Sequence, residues 1–243
     1  AEEPLINCLM LMTWPQRCDM IHEALVSFIC QDYPRRILTI VNDGMPCQLT
    51  SHFLSQWTGQ VLQVRQGASV GEKRCIGAAA VSADYIASFD DDDFSLPIRL
   101  RANLEAIGSS VWLSASRKLI ALHSLEKIVG FEFGRCYGAG MISAEVLNLF
   151  RWPHVNCRED HELYEEVLRS EAFRGRIVEG DALVYVHRRH ANNVSSMQRS
   201  QQKMWEGVLP LQLAEPVAAS APQLVQQLLK QNPEALIEDK KLL

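Results

Sequence analysis

The stretch ADYIASFDDDD at residues 83–93 decides how the rest of the chain is interpreted, because an apolar run ends there in four consecutive aspartates. The run predicts a buried strand. Four adjacent carboxylates raise one another's pKa, so we expect a cation to balance them. Carboxylate oxygens suit Mg²⁺ or Mn²⁺, which proteins commonly hold with one or two carboxylates, substrate phosphates and waters. The same aspartates are also typical of a solvated turn at the positive end of the next helix.

Two further polar clusters follow predicted strands earlier in the chain. The apolar runs at 5–12 and 37–41 end in Thr13–Arg17 and Asn42–Asp43. Amphipathic helical patterns separate these strands, and the alternation predicts an α/β fold in which helices flank a mostly parallel, Rossmann-like central sheet. Because ligands bind beyond the carboxyl ends of such strands, we expect all three clusters at one edge of the sheet.

The second half of the chain continues the pattern less regularly. Apolar runs at 111–122 and near 131–142 predict antiparallel strands at the far side of the sheet, and 177–187 reads as a strand or hairpin. A rise in proline and alanine near 207–222 predicts a linker. We therefore divide the chain into a catalytic-type domain at 1–206 and a linker with a helical C-terminal tail at 207–243.

Composition limits the classes of partner. The formal net charge of −5 argues against nucleic-acid binding, which needs a basic surface. Seven cysteines without a Cys-x-x-Cys pair favour reduced thiols, and the apolar run at 5–12 is short for a bilayer span, so we expect a cytoplasmic protein. The amphipathic tail favours packing on the domain or on a second copy as a homodimer, and membrane association is left open but not predicted.

Each of three further polar clusters has two interpretations, one functional and one purely structural. Gly71–Arg74 opens a helix and could hold a diphosphate, or be an ordinary exposed helix start. Glu159–Asp160 could supply a general base, or complement a helix dipole. The segment 187–195, HRRHANNVS, could grip phosphate or a metal ion, or be a surface loop.

Taken in order, these clusters resemble family 2 of the glycosyltransferases, which have the GT-A fold. The resemblance covers residues 5–196 and rests on a first turn (TWPQR, 13–17), a second turn (NDGM, 42–45), a helix start (GEKRCIG, 71–77), the strand with its aspartates (83–93), a Glu-Asp pair (159–160) and a late His-x-x-Asn-x-Ser segment (190–195). The chain departs from the family pattern at Pro15, Asn42 and Cys75. In the family the second turn begins with aspartate.

The resemblance implies a role for each matching position. The donor site would comprise Thr13, Arg17, Asp43, Lys73, Arg74, Asp90 and Asp91, with the base at Thr13 and Asp43, the diphosphate at Arg74 and Lys73, and the ribose at Asp90. The metal, Mn²⁺ or Mg²⁺, would be held by Asp92 with help from His190, and the catalytic pair would be Asp160, as base, and Glu159.

The function so implied is hexosyl transfer from a nucleotide sugar, with a UDP-sugar favoured, to an unidentified glycan, lipid-linked or protein acceptor. One base and no protein nucleophile predict a single displacement with inversion. Two alternatives remain. A metal-dependent nucleotidyl or phosphoryl transferase would need a second metal site or a phosphate-binding glycine loop, and the chain has no Gly-x-x-x-x-Gly-Lys-Ser/Thr pattern. A non-catalytic nucleotide-sugar binding module is kept open by Asn42 and the altered first turn.

Overall fold

A computed structural model describes residues 2–16, 18–46, 58–115, 118–124, 127–132, 136–180, 184–188 and 210–211. Its strands are β1 Ile6–Met12, β2 Arg36–Asn42, β3 Gly59–Gln63, β4 Tyr85–Ser88, β5 Phe94–Ser95, β6 Trp112–Ala115, β7 Lys118–Ser124, β8 Lys127–Glu132, β9 Cys136–Ser143, β10 Ile177–Glu179, β11 Tyr185–Arg188 and β12 Pro210–Leu211. Its helices are α1 Cys18–Ile29, α2 Val70–Ala79, α3 Arg99–Ile107, α4 Ala144–Leu147 and α5 Glu159–Arg169.

Seven strands form the main sheet, in the order β10-β6-β9-β4-β1-β2-β3. The strands β4, β1, β2 and β3 run parallel to one another, as do β10 and β6, whereas β9 runs antiparallel to both β4 and β6. The predicted α/β class with a mostly parallel sheet is therefore confirmed. The predicted antiparallel strands on its far side are found in part. β6 and β9 lie there and pair antiparallel, but 118–122 of the predicted run at 111–122 belongs to β7, in a second sheet.

Strand β1 shows why the sheet is covered on both faces. Its alternate residues Ile6, Cys8, Met10 and Met12 pack into a core with α1, while Leu9 joins a second core with α5. Apolar side chains on both faces make a central strand read as a continuous apolar run, as residues 5–12 do.

Glycine allows α2 to lie close to this sheet. A Cβ atom at Gly77 would come within 2.2 Å of Leu9 Cδ1 and 2.8 Å of Val41 Cγ2. The helix begins at Ser69, whose side-chain oxygen accepts a hydrogen bond from the Glu72 amide. Its first turn is thereby fixed just beyond the carboxyl ends of β1 and β2.

A second sheet, which the sequence did not predict, has the order β12-β8-β7-β11-β5. It contains β11, whereas β10 lies at the edge of the main sheet, so 177–187 forms two strands in different sheets and not a hairpin. Tyr185 on β11 pairs with Ser95 on β5, directly after the four aspartates.

Nearly all of the predicted linker and helical C-terminal tail lies outside the described residues. Pro210 and Leu211, within the predicted linker, pair with β8. The domain division at residue 206 stays a prediction. In the part of the chain that the structure describes, no helix has the length and apolarity needed to cross a bilayer.

Candidate active site

The carboxyl ends of β4, β1 and β2 bring the three sequence clusters to one edge of the main sheet. The strands are neighbours in that order, and β1 is parallel to both others. Thr13 follows β1, Asp43 follows β2 and Asp90 follows β4. The side chains that the sequence placed at this edge are thus contributed by adjacent strands.

Asp43 forms a compact group with Thr13 and Lys73. Its Oδ1 accepts a hydrogen bond from Thr13 Oγ1 at 2.6 Å and from Lys73 Nζ at 3.0 Å. The Asp43 and Lys73 side chains are each 8% exposed. Burial alone would raise the pKa of Asp43, but the hydrogen bonds from Thr13 and Lys73 and the charge of Lys73 outweigh it and lower the pKa. This aspartate is therefore firmly ionised at neutral pH.

A cavity of ≈ 300 Å³ opens beside this group. It is lined by residues of the turn after β1 and the turn after β2, and by Gln66, which follows β3. The full set is Thr13, Trp14, Pro15, Gln16, Gly44, Met45 and Gln66. Trp14 and Pro15 are joined by a cis peptide bond, and the Met45 side chain is exposed. The cavity offers an aromatic and apolar surface next to a buried carboxylate, a combination that suits a flat heterocycle with polar edges.

Arg74, next to Lys73 on α2, is the centre of a different group. Its Nε donates to Glu159 Oε1 at 3.2 Å, and its Nη2 lies 3.0 Å from Asp160 Oδ2 and 3.9 Å from Asp90 Oδ1. Its Nη1 donates to Ser88 Oγ at 2.9 Å. The side chain is 5% exposed, and the surrounding carboxylates raise its pKa although burial opposes this.

The Glu159–Asp160 pair occupies the first turn of α5, as predicted, where the helix dipole favours anions. Asp160 has a donor on each carboxylate oxygen: Trp152 Nε1 lies 2.7 Å from Oδ1, and Arg74 holds Oδ2. Since each carboxylate oxygen has two acceptor positions, one position on each oxygen is left for a further hydrogen bond. Burial and the neighbouring Asp160 raise the pKa of Glu159, and Arg74 opposes them.

Tyr185 holds the aspartates after β4. Its hydroxyl is hydrogen-bonded to Asp90 Oδ2 at 3.0 Å and to Asp93 Oδ2. A Cβ atom at Gly138 would come within 2.9 Å of Asp90 Oδ2, so the small residue leaves room for this carboxylate. Burial raises the pKa of Asp90 to about 6; Arg74 opposes the rise, and Asp93 and Asp92 add to it.

Arg99 is fully buried and contacts the backbone that leads into the same turn. Its Nη2 donates to the carbonyl oxygens of Ser88 at 2.6 Å and Gly138 at 3.1 Å. The guanidinium also stacks on the rings of Phe89 and Tyr185, at 4.7 and 5.1 Å from their centroids. The chain thus fixes the ends of β4, β9 and β11 around the aspartates.

The aspartates fit a divalent ion by the chemistry of their donor atoms. Asp90 and Asp92 present hard carboxylate oxygens, and the raised pKa of Asp90 shows a carboxylate that a nearby cation would stabilise in its ionised form. Within the described ranges, no group of three or more His, Cys, Asp or Glu side chains could hold a metal ion by itself. Two such carboxylates suit an ion that completes its coordination with further oxygen donors.

Of the predicted site residues, the structure brings together Thr13, Asp43 and Lys73 in one group and Arg74, Asp90, Glu159 and Asp160 in another. Asp91 and Asp92 are buried beside the second group. Arg17 and His190 lie outside the described residues. Sequence reasoning missed Tyr185 and Arg99, whose partners are remote in the chain.

Comparison with solved structures identifies the architecture. TarS residues 1–349 from S. aureus, in complex with UDP-GlcNAc, superposes with a TM-score of 0.60 at 16% identity, over 80% of this chain and 61% of that one. The same fragment without that ligand gives 0.57 at 14% identity, over 76% and 60%. The mannosyltransferase PcManGT from Pyrobaculum calidifontis, in complex with GDP-Man and Mn²⁺, gives 0.59 at 11% identity, over 96% and 76%.

These likenesses show that the chain has the GT-A glycosyltransferase fold, as the sequence predicted. The chain spans about 60% of the length of the two TarS structures. No protein-family model matches the sequence, and no curated protein matches it.

Proposed function

We propose that this chain is an inverting glycosyltransferase that moves a hexose from a nucleoside-diphosphate sugar, with UDP-sugar as the favoured donor, to an acceptor hydroxyl. The observation that carries the proposal is the position of Arg74. One buried guanidinium contacts Asp90, on the donor side, and the Glu159–Asp160 pair, on the acceptor side. The anomeric carbon would lie between these carboxylates.

Different residues of the site bind different parts of the donor. The cavity beside Asp43 receives the nucleoside base, and the unused acceptor positions of Asp43 bind a base N–H. Asp90 contacts the ribose, with Asp91 beside it. Lys73 and Arg74 lie near the start of α2, whose N–H groups favour the diphosphate once a divalent cation offsets the surrounding carboxylates.

The chemical step is a single displacement. The acceptor oxygen forms a bond to the anomeric carbon as the bond from that carbon to the diphosphate oxygen breaks, and the acceptor proton passes to Asp160. Trp152 and Arg74 hold the Asp160 carboxylate in a fixed orientation. Attack from the face opposite the leaving group inverts the anomeric carbon.

Asp92, with Asp90, would hold Mn²⁺ or Mg²⁺, which neutralises the negative charge that develops on the diphosphate leaving group. His190 keeps its proposed part in this site. PcManGT, whose structure contains Mn²⁺ with GDP-Man, supports metal use, and the TarS complexes with UDP-GlcNAc and UDP support a uridine donor. The free thiols of Cys8, Cys30, Cys75 and Cys157 support a cytoplasmic location.

The test begins with thermal unfolding in the presence of UDP, GDP, ADP and CDP, each with Mn²⁺ or with EDTA. A nucleotide at about 100 times its dissociation constant adds about 2.7 kcal/mol to the free energy of unfolding. For a chain of this length that raises the midpoint by roughly 5–10 °C. We expect the rise with one nucleotide and Mn²⁺, and its loss in EDTA and in Asp92→Asn.

Donor turnover then separates an enzyme from a binding module. We expect slow hydrolysis of the matching nucleotide sugar, lowered about a hundredfold or more in Asp160→Asn while nucleotide binding is kept. Binding without turnover in the unsubstituted chain, with many acceptors, would favour the non-catalytic module. Release of pyrophosphate would favour nucleotidyl transfer.

A further inference from the structure

Asn42, the last residue of β2, is fully buried and uses all the hydrogen-bonding positions of its amide. Its Oδ1 accepts from the backbone amides of Trp14 and Gly44, both at 3.0 Å. Its Nδ2 donates to the Met45 carbonyl oxygen at 2.6 Å and to Gln63 Oε1 at 3.0 Å. A primary amide has two donor hydrogens and an oxygen with two acceptor positions, so this set is complete.

Three of the four partners belong to the walls of the cavity beside Asp43. Trp14 is in the turn after β1, Gly44 and Met45 are in the turn after β2, and all three line the cavity. Gln63, the last residue of β3, returns a hydrogen bond from Nε2 to the Gly44 carbonyl oxygen at 2.7 Å. One side chain therefore ties the ends of three parallel strands together.

The two turns also touch each other directly. The Met45 amide donates to the Trp14 carbonyl oxygen at 2.8 Å. A Cβ atom at Gly44 would come within 2.1 Å of that same oxygen. The approach is so close that a small loss of alignment between the turns would change the shape of the cavity.

We propose that Asn42 is a positioning residue for nucleotide binding, matched to Gln63, and that its amide sets the shape of the base pocket. The inference rests on the proposed function, because it concerns how that same site binds its nucleotide. It also explains the departure from the family pattern at this position. A carboxylate has no hydrogen to donate, so it would face the Met45 carbonyl and Gln63 Oε1 without a hydrogen bond.

Rotation of the Gln63 amide does not rescue a carboxylate. If Gln63 turned its NH₂ group towards position 42, its Oε1 would face the Gly44 carbonyl oxygen that now accepts from Nε2. Asparagine and glutamine thus fit each other and both turns. The amide at position 42 indicates a site built with a different hydrogen-bond pattern, not a degraded one.

The experiment is a calorimetric titration of the full chain with UDP, GDP, ADP and CDP in the presence of Mn²⁺. The test variant is Asn42→Asp, and the matched control is Asn7→Asp. Asn7 is also fully buried and also donates to a carbonyl oxygen, that of Gly77 at 3.1 Å, but it lies towards the other end of β1 from the cavity. We expect both variants to unfold at lower temperature.

Only the test variant should lose affinity. We expect a dissociation constant at least about tenfold weaker for Asn42→Asp, and a change within about twofold for Asn7→Asp. Gln63→Ala is the second test variant, for the case in which Asn42→Asp does not fold, because the Gln63 side chain is exposed. We expect it to weaken nucleotide binding about threefold.

The outcomes separate the two proposals. Absence of nucleotide binding in the unsubstituted chain would overturn the proposed function and this inference with it. Binding that is kept within about twofold in Gln63→Ala and in any folded Asn42→Asp would overturn the inference alone. An equal loss of affinity in Asn7→Asp would also overturn it, because the effect would then follow stability and not position.

Discussion

Lys73 and Arg74 are consecutive on α2, yet they serve two halves of the site that differ in net charge. In the nucleoside half, Lys73 meets one carboxylate, Asp43, and the pKa of that carboxylate is lowered. In the carboxylate half, Arg74 lies against Asp90, Glu159 and Asp160, and the pKa values of Asp90 and Glu159 are raised.

This difference in charge bears on what each half would bind under the proposed function. The nucleoside half is neutral overall, and the side-chain amides of Asn42 and Gln63 hold its turns together. A pocket of this kind suits an uncharged heterocycle. The carboxylate half has more negative charge than Arg74 balances, so anionic diphosphate alone would be repelled, whereas diphosphate with a divalent cation would not. The charge balance accordingly favours a metal-bridged donor.

The largest expected effect follows from removing the centre of the carboxylate half. Arg74→Met leaves Glu159, Asp160 and Asp90 without their shared cation, and breaking a buried ion pair typically costs about 3–5 kcal/mol. We expect the unfolding midpoint to fall by roughly 6–20 °C in calorimetry. A loss no greater than that of Arg176→Met, which removes an exposed pair with Glu145, would contradict this interpretation.

Removing the carboxylate of the nucleoside half should cost somewhat less. Asp43→Asn leaves Lys73 buried opposite a neutral amide, and we expect a loss of about 3 kcal/mol at neutral pH by denaturant titration. The pKa of Asp43 is lowered from 3.8, so its native state holds fewer protons than the unfolded chain near that pH. Its stabilisation is therefore complete above this range and is lost as the pH falls through the lowered pKa.

The difference between the unsubstituted chain and Asp43→Asn should consequently shrink below about pH 4. A difference that stayed constant from neutral to acidic pH would show that the ionised Asp43–Lys73 pair is not the origin of the effect. The pH dependence thus tests the charge of this half separately from its packing.

A third variant tests how Asp160 is held. Trp152→Phe removes the donor to Asp160 Oδ1, and a hydrogen bond to a charged group contributes about 1.5–3 kcal/mol. If Asp160 is the base, we expect kcat to fall about tenfold with the KM for the donor within about twofold. Trp112→Phe, at an equally buried tryptophan that packs on Tyr164, is the control and should leave kcat unchanged.

The smallest effect is expected at the aspartate turn. Tyr185→Phe removes the hydroxyl shared by Asp90 and Asp93, with a loss of about 1 kcal/mol. We expect the Mn²⁺-dependent rise in the unfolding midpoint with nucleotide to become smaller. Tyr33→Phe, which removes a hydroxyl bonded to the Pro4 carbonyl, should lower stability similarly and leave that rise intact.

The sequence predicted the elements of the nucleoside half because their signals are local. Apolar runs followed by polar turns marked the ends of β1, β2 and β4, and the parallel arrangement implied that Thr13 and Asp43 would meet. The local sequence pattern did not show that the side chains of Lys73 and Arg74 point to different groups of the site. Consecutive helical residues point about 100° apart, so neighbours in sequence can serve separate groups.

The sequence could not predict the contacts that complete the carboxylate half. Tyr185 and Asp90 are 95 residues apart, and Arg74 and Glu159 are 85 apart. Local periodicity reports which face of an element is buried, not which distant side chain meets it. The second sheet was missed for the same reason, since β5 has two residues and shows no period of its own.

The two halves also differ in where their residues lie along the chain, and so in the order in which the ribosome makes them. Thr13, Asn42, Asp43 and Lys73 all precede residue 93, whereas Glu159, Asp160 and Tyr185 follow long after it. Of the three carboxylates that surround Arg74 in the structure, Asp90 is the one available to it until α5 has been made. The ion pairs of Arg74 with Glu159 and Asp160 can form only once α5 has docked, so they report that the site is complete.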